Sequence, residues 1–461
     1  MGGIIDDGVS NVLKQRFAGQ IEGGAEIRRQ HANTLTWLDN QPPDVVVFAT
    51  STQDVADLVS IAAQYRVPVI AFGGGTSLEG QVNAPRGGIS LDLSRMDRIL
   101  EVHPDDLDAT VEAGVTRVQL NTHLRDTGLF YPVDPGAETA TLGGMAATRA
   151  SGTNAVRYGT MRDNVMSVTA VMADGSLMRT GGRARKSAAG YDLTRLLVGS
   201  EGTLGIITEL TVRLYGVPEA TIAAVVAFAT LKGAAEATSS AIQMGLAVAR
   251  IELLDPLQIR AINGYSKLTL AELPTLFIEF VGSPSGVREQ AAQFREIAEA
   301  TGATGIEMAE QEDDRRRLWK ARHDAYWATR ATWPGRMTLA TDVCVPISRL
   351  AECIAETEAD IQRLGLIAPI VGHVGDGNFH ATPVIDKDDA RQRAALEEFL
   401  DRLAERAIRM EGTCTGEHGI GQGKMRYLEK EFGATGLATM RAIKQVLDPH
   451  GILNPGKLFL V

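Results

Sequence analysis

Hydrophobic and polar positions follow two periods along this chain. Residues 45–49 are β-branched and apolar and predict a strand. Val55, Leu58, Val59 and Ala62 recur at helical spacing, predicting an amphipathic helix that opens at Thr52-Gln53-Asp54 and runs to about Tyr65. Pro68-Val69-Ile70-Ala71-Phe72 predicts the next strand, giving a β-α-β-loop unit. Further strands are expected at residues 88–93, 107–113, 165–173 and 210–214, and a helix at 118–127. Residues 1–40 read as an irregular, helical lead-in broken by Gln41-Pro42-Pro43-Asp44. Val217-Pro218 marks a boundary. Beyond it the pattern predicts strands at 222–229, 251–254 and 275–281, with helices at 234–244, 285–301 and 309–329. The charged run Glu312-Asp313-Asp314-Arg315-Arg316-Arg317 reads as a solvated helix face.

Three loops of glycine and small residues interrupt the first half. Strand 68–72 feeds Gly73-Gly74-Gly75-Thr76-Ser77-Leu78-Glu79-Gly80. Glycine lets a ligand approach the backbone closely, and successive N–H groups in such a turn converge on an anion. A plain tight turn explains that loop equally well. The second region runs through Pro135, Gly136, Thr141, Gly143, Gly144, Ser151 and Gly152, with Tyr158 following. A core helix packed on a sheet would account for residues 143–150 but not for the polar, turn-like ends. The third is Gly199-Ser200-Glu201-Gly202-Thr203-Leu204-Gly205-Ile206-Ile207. No G-x-G-x-x-G opens a helix and no Gly-Lys-Ser/Thr follows, so the Rossmann and Walker patterns do not fit. One large phosphorylated cofactor explains all three loops together.

Composition narrows the class. The chain has 461 residues, 44% of them hydrophobic, and a formal charge of −11. That acidity argues against nucleic acid as the main partner. Cys344, Cys353 and Cys414 are too widely spaced for a disulfide framework or a thiolate metal motif. No apolar run reaches the roughly 18 residues of a membrane span. The first residues resemble neither a signal peptide nor a transit peptide. These features lead to the expectation of a cytoplasmic protein, peripheral to a membrane at most.

The second half carries the metal-binding chemistry. Gly372-His373-Val374-Gly375-Asp376-Gly377-Asn378-Phe379-His380 places two histidines across a glycine turn, and Gly416-Glu417-His418-Gly419 adds a carboxylate and an imidazole. Two His and one Glu make an N,N,O set suited to Zn, Mn or Fe, with the remaining imidazole free as a base near neutral pH. Any one of these histidines alone reads as structural; together they favour a metal site. Arg322, taken alone, reads as a surface ion pair with Asp324 or Glu312.

Taken together, the three glycine loops, residues 372–380, Gly416-Glu417-His418-Gly419, Thr341-Asp342-Val343-Cys344-Val345-Pro346 and Asn454-Pro455-Gly456-Lys457 resemble the FAD-linked oxidases of the vanillyl-alcohol oxidase/PCMH superfamily. The similarity runs from about Pro42 to Lys457 and is nearest the D-2-hydroxyacid branch that includes D-lactate dehydrogenase (cytochrome). It implies an α+β fold in four parts: a lead-in (1–40), a two-subdomain PCMH-type FAD-binding domain (41–218), an α+β cap with an antiparallel sheet carrying substrate and metal (219–425), and a segment returning to the FAD domain (426–461). Gly73 to Gly80 would hold the pyrophosphate; Pro135 to Thr141, Ser151, Gly152 and Glu201 to Ile207 would line the rest of the FAD, with Asn454 beside them. No His or Cys lies within 71–81 or 124–322, so non-covalent FAD is expected.

By the same resemblance His373, His380 and Glu417 would be metal ligands, His418 the proton acceptor, and Arg322 the grip on the substrate carboxylate. The implied reaction is metal-assisted oxidation of a D-2-hydroxy acid, D-lactate to pyruvate, with hydride passing to the flavin. Electrons would leave to a cytochrome, a quinone or an electron-transfer flavoprotein; a homodimer is compatible. The 2-hydroxyglutarate branch carries a lysine where this chain has Leu339-Ala340 and an asparagine where it has Thr382, which favours a monocarboxylate. The rivals are a D-2-hydroxyglutarate or glycolate dehydrogenase, a flavin electron-transfer subunit without substrate chemistry, and a metal protein without flavin.

Overall fold

The computed structural model describes residues 5–32, 36–309 and 311–460. It divides into two compact units. The first comprises residues 1–151, 159–217 and 417–461, the second residues 152–158 and 218–416. The second unit thus ends at 416, and the short segment 152–158 belongs to it.

The first unit holds two larger sheets and a two-stranded one that pairs Leu129–Phe130 with Tyr215–Gly216. In the four-stranded sheet the order is Ile21–Glu22, Val45–Phe48, Ile89–Asp92, Val69–Phe72, and the last three strands are parallel. Helix Thr52–Tyr65 crosses over between Val45–Phe48 and Val69–Phe72, the two strands that flank Ile89–Asp92; its Val55, Leu58, Val59 and Ala62 are buried. Ser51, one residue before the expected start, caps it by accepting from Asp54 N–H at 3.1 Å. Within the lead-in, helices form at Asp7–Arg16 and Ala25–Gln30; residues 1–4 and 33–35 lie outside the described residues. The five-stranded sheet is antiparallel, in the order Ile99–His103, Asp108–Glu112, Ile206–Arg213, Val165–Val171, Leu177–Arg179. Helix Leu142–Thr148 buries Leu142, Gly143, Met145 and Ala146, so part of the second small-residue region does pack as a core helix. Gly143 allows that approach: a Cβ there would meet Ala113 O at 2.8 Å.

The end of the chain returns to the first sheet. Val69 N–H donates to Ile452 O and Asn454 N–H to Val69 O, each at 2.8 Å. Lys444 fixes this return by donating to Thr203 O and Leu453 O at 2.8 Å and to the Asp448 carboxylate.

The second unit is built on a seven-stranded sheet ordered Ala303–Ala309, Ala220–Phe228, Thr275–Gly282, Val248–Leu254, Ile370–Gly372, Asn378–Ala381, Val343–Cys344, antiparallel at every pairing. Both faces of its central strands are buried. Helices Leu231–Gln243, Pro284–Ala300, Leu350–Leu364 and Ala390–Arg409 supply one core with Ile251 and Leu253. Helices Pro256–Ser266, Glu312–His323 and Ala325–Thr332 supply another with Leu254 and Phe277. The single helix expected over 309–329 is therefore a strand end, residue 310 outside the description, and two helices that meet at Asp324. Arg322 and Trp319 point inward from the first of them, while Glu312, Asp313, Asp314 and Arg316 are exposed as expected.

Candidate active site: a glycine-walled cleft and a buried Arg-Glu-His bridge

In the first unit, strand Val69–Phe72 ends in the triple glycine, and a cleft of about 970 Å³ opens beside it. Its wall is made by two loops pressed backbone to backbone. A Cβ on Gly74 would lie 2.2 Å from Thr139 O, and one on Gly73 would lie 2.3 Å from Thr141 Oγ1. Only glycine fits there, so the sequence Gly73-Gly74 is what allows the cleft to close on that side.

Glu417 and His418, both half-buried, line the same cleft. Their loop is held by backbone bonds. Gln81 Nε2 donates to His418 O at 2.7 Å. Glu201 accepts from Ile420 N–H at 2.6 Å and from Gly421 N–H at 2.8 Å. Burial pushes the Glu201 carboxyl up to about 7, against the pull of those two N–H groups, Gln81 and the Lys457 charge. Burial likewise brings the Lys457 ammonium down to about 7, opposed by Glu201. Asn454 completes this corner, donating from Nδ2 to Glu201 O at 2.7 Å and Gln81 O at 3.1 Å.

In the second unit, strand Val248–Leu254 carries Glu252, which is fully buried. Its Oε2 accepts from Arg322 Nε at 2.8 Å and Nη2 at 2.6 Å, and its Oε1 accepts from His373 Nδ1 at 2.8 Å. Burial alone would raise the Glu252 carboxyl; the charges of Arg322 and His373 outweigh it and hold the carboxyl below its usual range. Arg322 thus pairs with neither Asp324, which takes Lys320 at 2.8 Å, nor Glu312, which takes Arg316 at 2.5 Å.

His380 sits on strand Asn378–Ala381, its ring centroid 5.4 Å from that of His373. His380 Nδ1 bonds Thr341 O at 2.8 Å. A carbonyl and an ionised carboxylate can only accept, so both histidines carry a proton on Nδ1, which leaves Nε2 as the nitrogen that could bind an ion. This is the arrangement by which outer groups orient metal-binding imidazoles. The donor set therefore suits a divalent ion. Asp342 steadies the neighbourhood, accepting from Asn378 Nδ2 at 2.7 Å and Thr415 Oγ1 at 2.6 Å.

Residues 217–458 match the family described as FAD linked oxidases, C-terminal domain, and residues 43–181 match the FAD binding domain. The chain belongs to the FAD-linked oxidases. This FAD-linked oxidase is 50% identical to the probable mitochondrial D-lactate dehydrogenase of Danio rerio, over 94% of its own length and 88% of that protein's. It is 47% identical to the mitochondrial D-lactate dehydrogenase [cytochrome] of Arabidopsis thaliana, over 90% of its length and 73% of the relative's. Its fold matches p-cresol methylhydroxylase at a TM-score of 0.81 and 17% identity, covering 98% and 97% of the two chains. The α+β architecture of a PCMH-type FAD-binding domain and an antiparallel-sheet cap is borne out. The protein is an FAD-linked oxidoreductase. The cytoplasmic expectation is overturned, because both relatives are named as mitochondrial proteins. It rested on finding no leader at the start of the chain, which does not fix a compartment.

Most of the expected cofactor residues line the cleft: Gly73, Gly74, Gly75, Thr76, Ser77, Pro135, Thr141, Gly144, Ser151, Glu201, Gly202 and Asn454. Gly143, Gly205, Ile206 and Ile207 line a second hollow of about 400 Å³ that shares Gly73, Thr141, Gly144 and Gly202 with it. Gly80 instead packs on Leu38 and Gln422, and Gly136 N–H turns onto Asp134 Oδ1 at 3.1 Å. Gly152 and Tyr158 are in the segment assigned to the second unit. The sequence reading gave no role to Gln81, Glu252 or Asp342, although Asp342 lies in a motif that carries the resemblance. Glu252 had a visible signal: an acid between Ile251 and Leu253 in a run that is otherwise apolar except for Arg250.

Proposed function

We propose that this oxidase is an FAD-dependent D-2-hydroxyacid dehydrogenase that converts D-lactate to pyruvate with the help of a divalent metal. The observation that carries the reading is the buried carboxylate of Glu252, shared by a guanidinium and an imidazole. It engages Arg322 through Nε and Nη2, and in this reading the rest of the guanidinium takes the substrate carboxylate, beside His373. The names of the two relatives supply the substrate.

FAD lies non-covalently in the cleft, its pyrophosphate on the N–H groups of residues 73–77, next to Glu201 and Asn454. His373, His380 and Glu417 hold the metal. Support comes from the Nδ1 protonation of both histidines and from chain continuity: Glu417 directly follows Gly416, where a Cβ would lie 2.4 Å from Asn378 Nδ2, two residues from His380. Bound FAD supplies a two-electron acceptor and the bound ion a Lewis acid. Arg322 grips the substrate carboxylate through its Nη edge. His418 accepts the α-hydroxyl proton, imidazole being the commonest general base. Leu339 and Thr382, both buried, offer no second cation, so a monocarboxylate fits better than 2-hydroxyglutarate. A cytochrome receives the electrons, in keeping with the Arabidopsis relative's name.

The test is anaerobic bleaching of the bound flavin near ~450 nm, an absorption that belongs to the cofactor. D-lactate, L-lactate, glycolate and D-2-hydroxyglutarate are compared on the holoprotein. Fast bleaching by D-lactate supports the reading. A preference for D-2-hydroxyglutarate or glycolate replaces the substrate, and no bleaching by any of them replaces the enzyme with an electron-transfer subunit.

A further inference from the structure

A carboxylate in the middle of a doubly covered sheet is costly to desolvate, and it persists only when its partners return that cost. Glu252 is 0% exposed, and both of its oxygens are used. One oxygen takes two N–H groups of Arg322, the other takes the Nδ1–H of His373. A guanidinium has five N–H donors in a rigid plane. With the Nε side engaged, what remains points away from Glu252 along the Nη edge. With Nδ1 protonated, His373 keeps its lone pair on Nε2.

We propose that Glu252 is a positioning residue that sets the substrate arginine and the metal-ligand histidine at the same time; this rests on the roles given above to Arg322 and His373. The ionised carboxylate is the one group of this shape that can do both. An amide or a protonated acid has an acceptor at one end and a donor at the other. If the donor faces Arg322, two N–H groups oppose each other and the guanidinium turns. If it faces His373, Nδ1 must become the acceptor, the proton moves to Nε2, and the ligand nitrogen is blocked. Glu252 thereby ties the tautomer of the metal site to the orientation of the carboxylate grip.

The experiment uses the FAD-loaded protein and its Glu252→Gln and Glu252→Asp variants. Zn²⁺ affinity is measured without substrate, by competition with a chromophoric chelator. The half-saturating D-lactate concentration for flavin bleaching is measured separately, and the flavin spectrum reports folding. In Glu252→Gln, zinc affinity is expected to fall by roughly 10–100-fold, the range for loss of an outer-sphere partner, or half-saturation to rise by about the same factor. Glu252→Asp keeps two acceptor oxygens and should recover part of either loss. If Glu252→Gln does not load FAD, Glu252→Asp, with its carboxylate drawn back by about 1.5 Å, is judged by the same two readings. Lower thermal stability with zinc affinity and half-saturation both at wild-type values would overturn the proposal, because that is what a purely structural ion pair gives. A wild-type protein that binds no Zn²⁺ would instead sink the metal reading of His373, leaving half-saturation to decide whether Glu252 orients Arg322.

Discussion

Glu201 and Gly421 stand 220 residues apart in sequence, and the carboxylate of the first accepts the backbone N–H of the second at 2.8 Å. Gly421 has φ +49°, and a Cβ on it would meet Glu79 O at 2.1 Å. Gly421→Ala should therefore combine left-handed strain with a backbone clash, costing about 2–5 kcal/mol. Gly451→Ala is the control. Gly451 has φ +61° with open space around its Cβ position, so strain alone applies, about 1 kcal/mol. Thermal unfolding of the two FAD-loaded variants should show the larger fall for Gly421→Ala; equal falls would mean that the loop gives way to Glu79 without cost.

Gly74→Ala addresses the cleft directly. The added methyl would sit 2.2 Å from Thr139 O, a backbone atom with no rotamer to escape into. The 73–77 loop must then move off residues 139–141. The expected outcome is a folded protein purified with a clearly lowered ratio of flavin to protein absorbance. Wild-type flavin content in that variant would remove the loop from the cofactor site.

How much of this was legible in the sequence depends on how local the cause is. The Gly73-Gly74-Gly75 loop could be read because its chemistry is local, and helix Thr52–Tyr65 because its spacing is. Glu252 could not be placed. Alternation sends it to the face opposite Ile251 and Leu253, which in a half-exposed sheet would be solvent. Here that face is covered by helices Pro256–Ser266, Glu312–His323 and Ala325–Thr332, so the opposite side is a second interior. Arg322 was misjudged on its residues alone for the same reason, since its real partner lies 70 positions away. The break at Asp324 was invisible because the segment on either side keeps a helical composition.

Asp255 gives a pH signature. It caps helix Pro256–Ser266, accepting from Gln258 N–H at 2.7 Å, and burial pushes its carboxyl up to about 7 from an ordinary 3.8. The folded state thus binds a proton that the unfolded state has released. Its contribution is complete below pH ~3.8 and is lost as pH rises towards ~7, with a slope of at most about 1.4 kcal/mol per pH unit. Asparagine keeps the cap but carries no charge. Asp255→Asn should accordingly show a flatter stability profile between these limits and equal or exceed wild type at pH 8. An unchanged slope in chemical denaturation would mean that Asp255 is ionised when buried.

His418→Ala separates chemistry from binding. The loop is held through the His418 carbonyl by Gln81 and through Ile420 and Gly421 by Glu201, none of which uses the imidazole. FAD content should stay at the wild-type level. Flavin bleaching by D-lactate should slow by roughly 10²–10⁴-fold, the usual share of a general base. Near wild-type bleaching would show that the proton goes elsewhere.

Metal removal tests the remaining role. The Nδ1 protons of His373 and His380 are fixed by Glu252 and Thr341 whether or not an ion is present, so the chelated protein should keep its fold and its flavin spectrum. What it should lose is the rate of flavin bleaching by D-lactate, since the α-hydroxyl then ionises without a Lewis acid beside it. Adding back Zn²⁺, Mn²⁺ and Fe²⁺ separately should restore the rate for at least one of them, and the best of the three names the ion, since a two-His, one-carboxylate set accepts all three. The same add-back to His380→Ala should fail, because a two-ligand remnant binds weakly. Full-rate bleaching after exhaustive chelation would sink the metal role and leave His418 and Arg322 to act on the hydroxy acid alone.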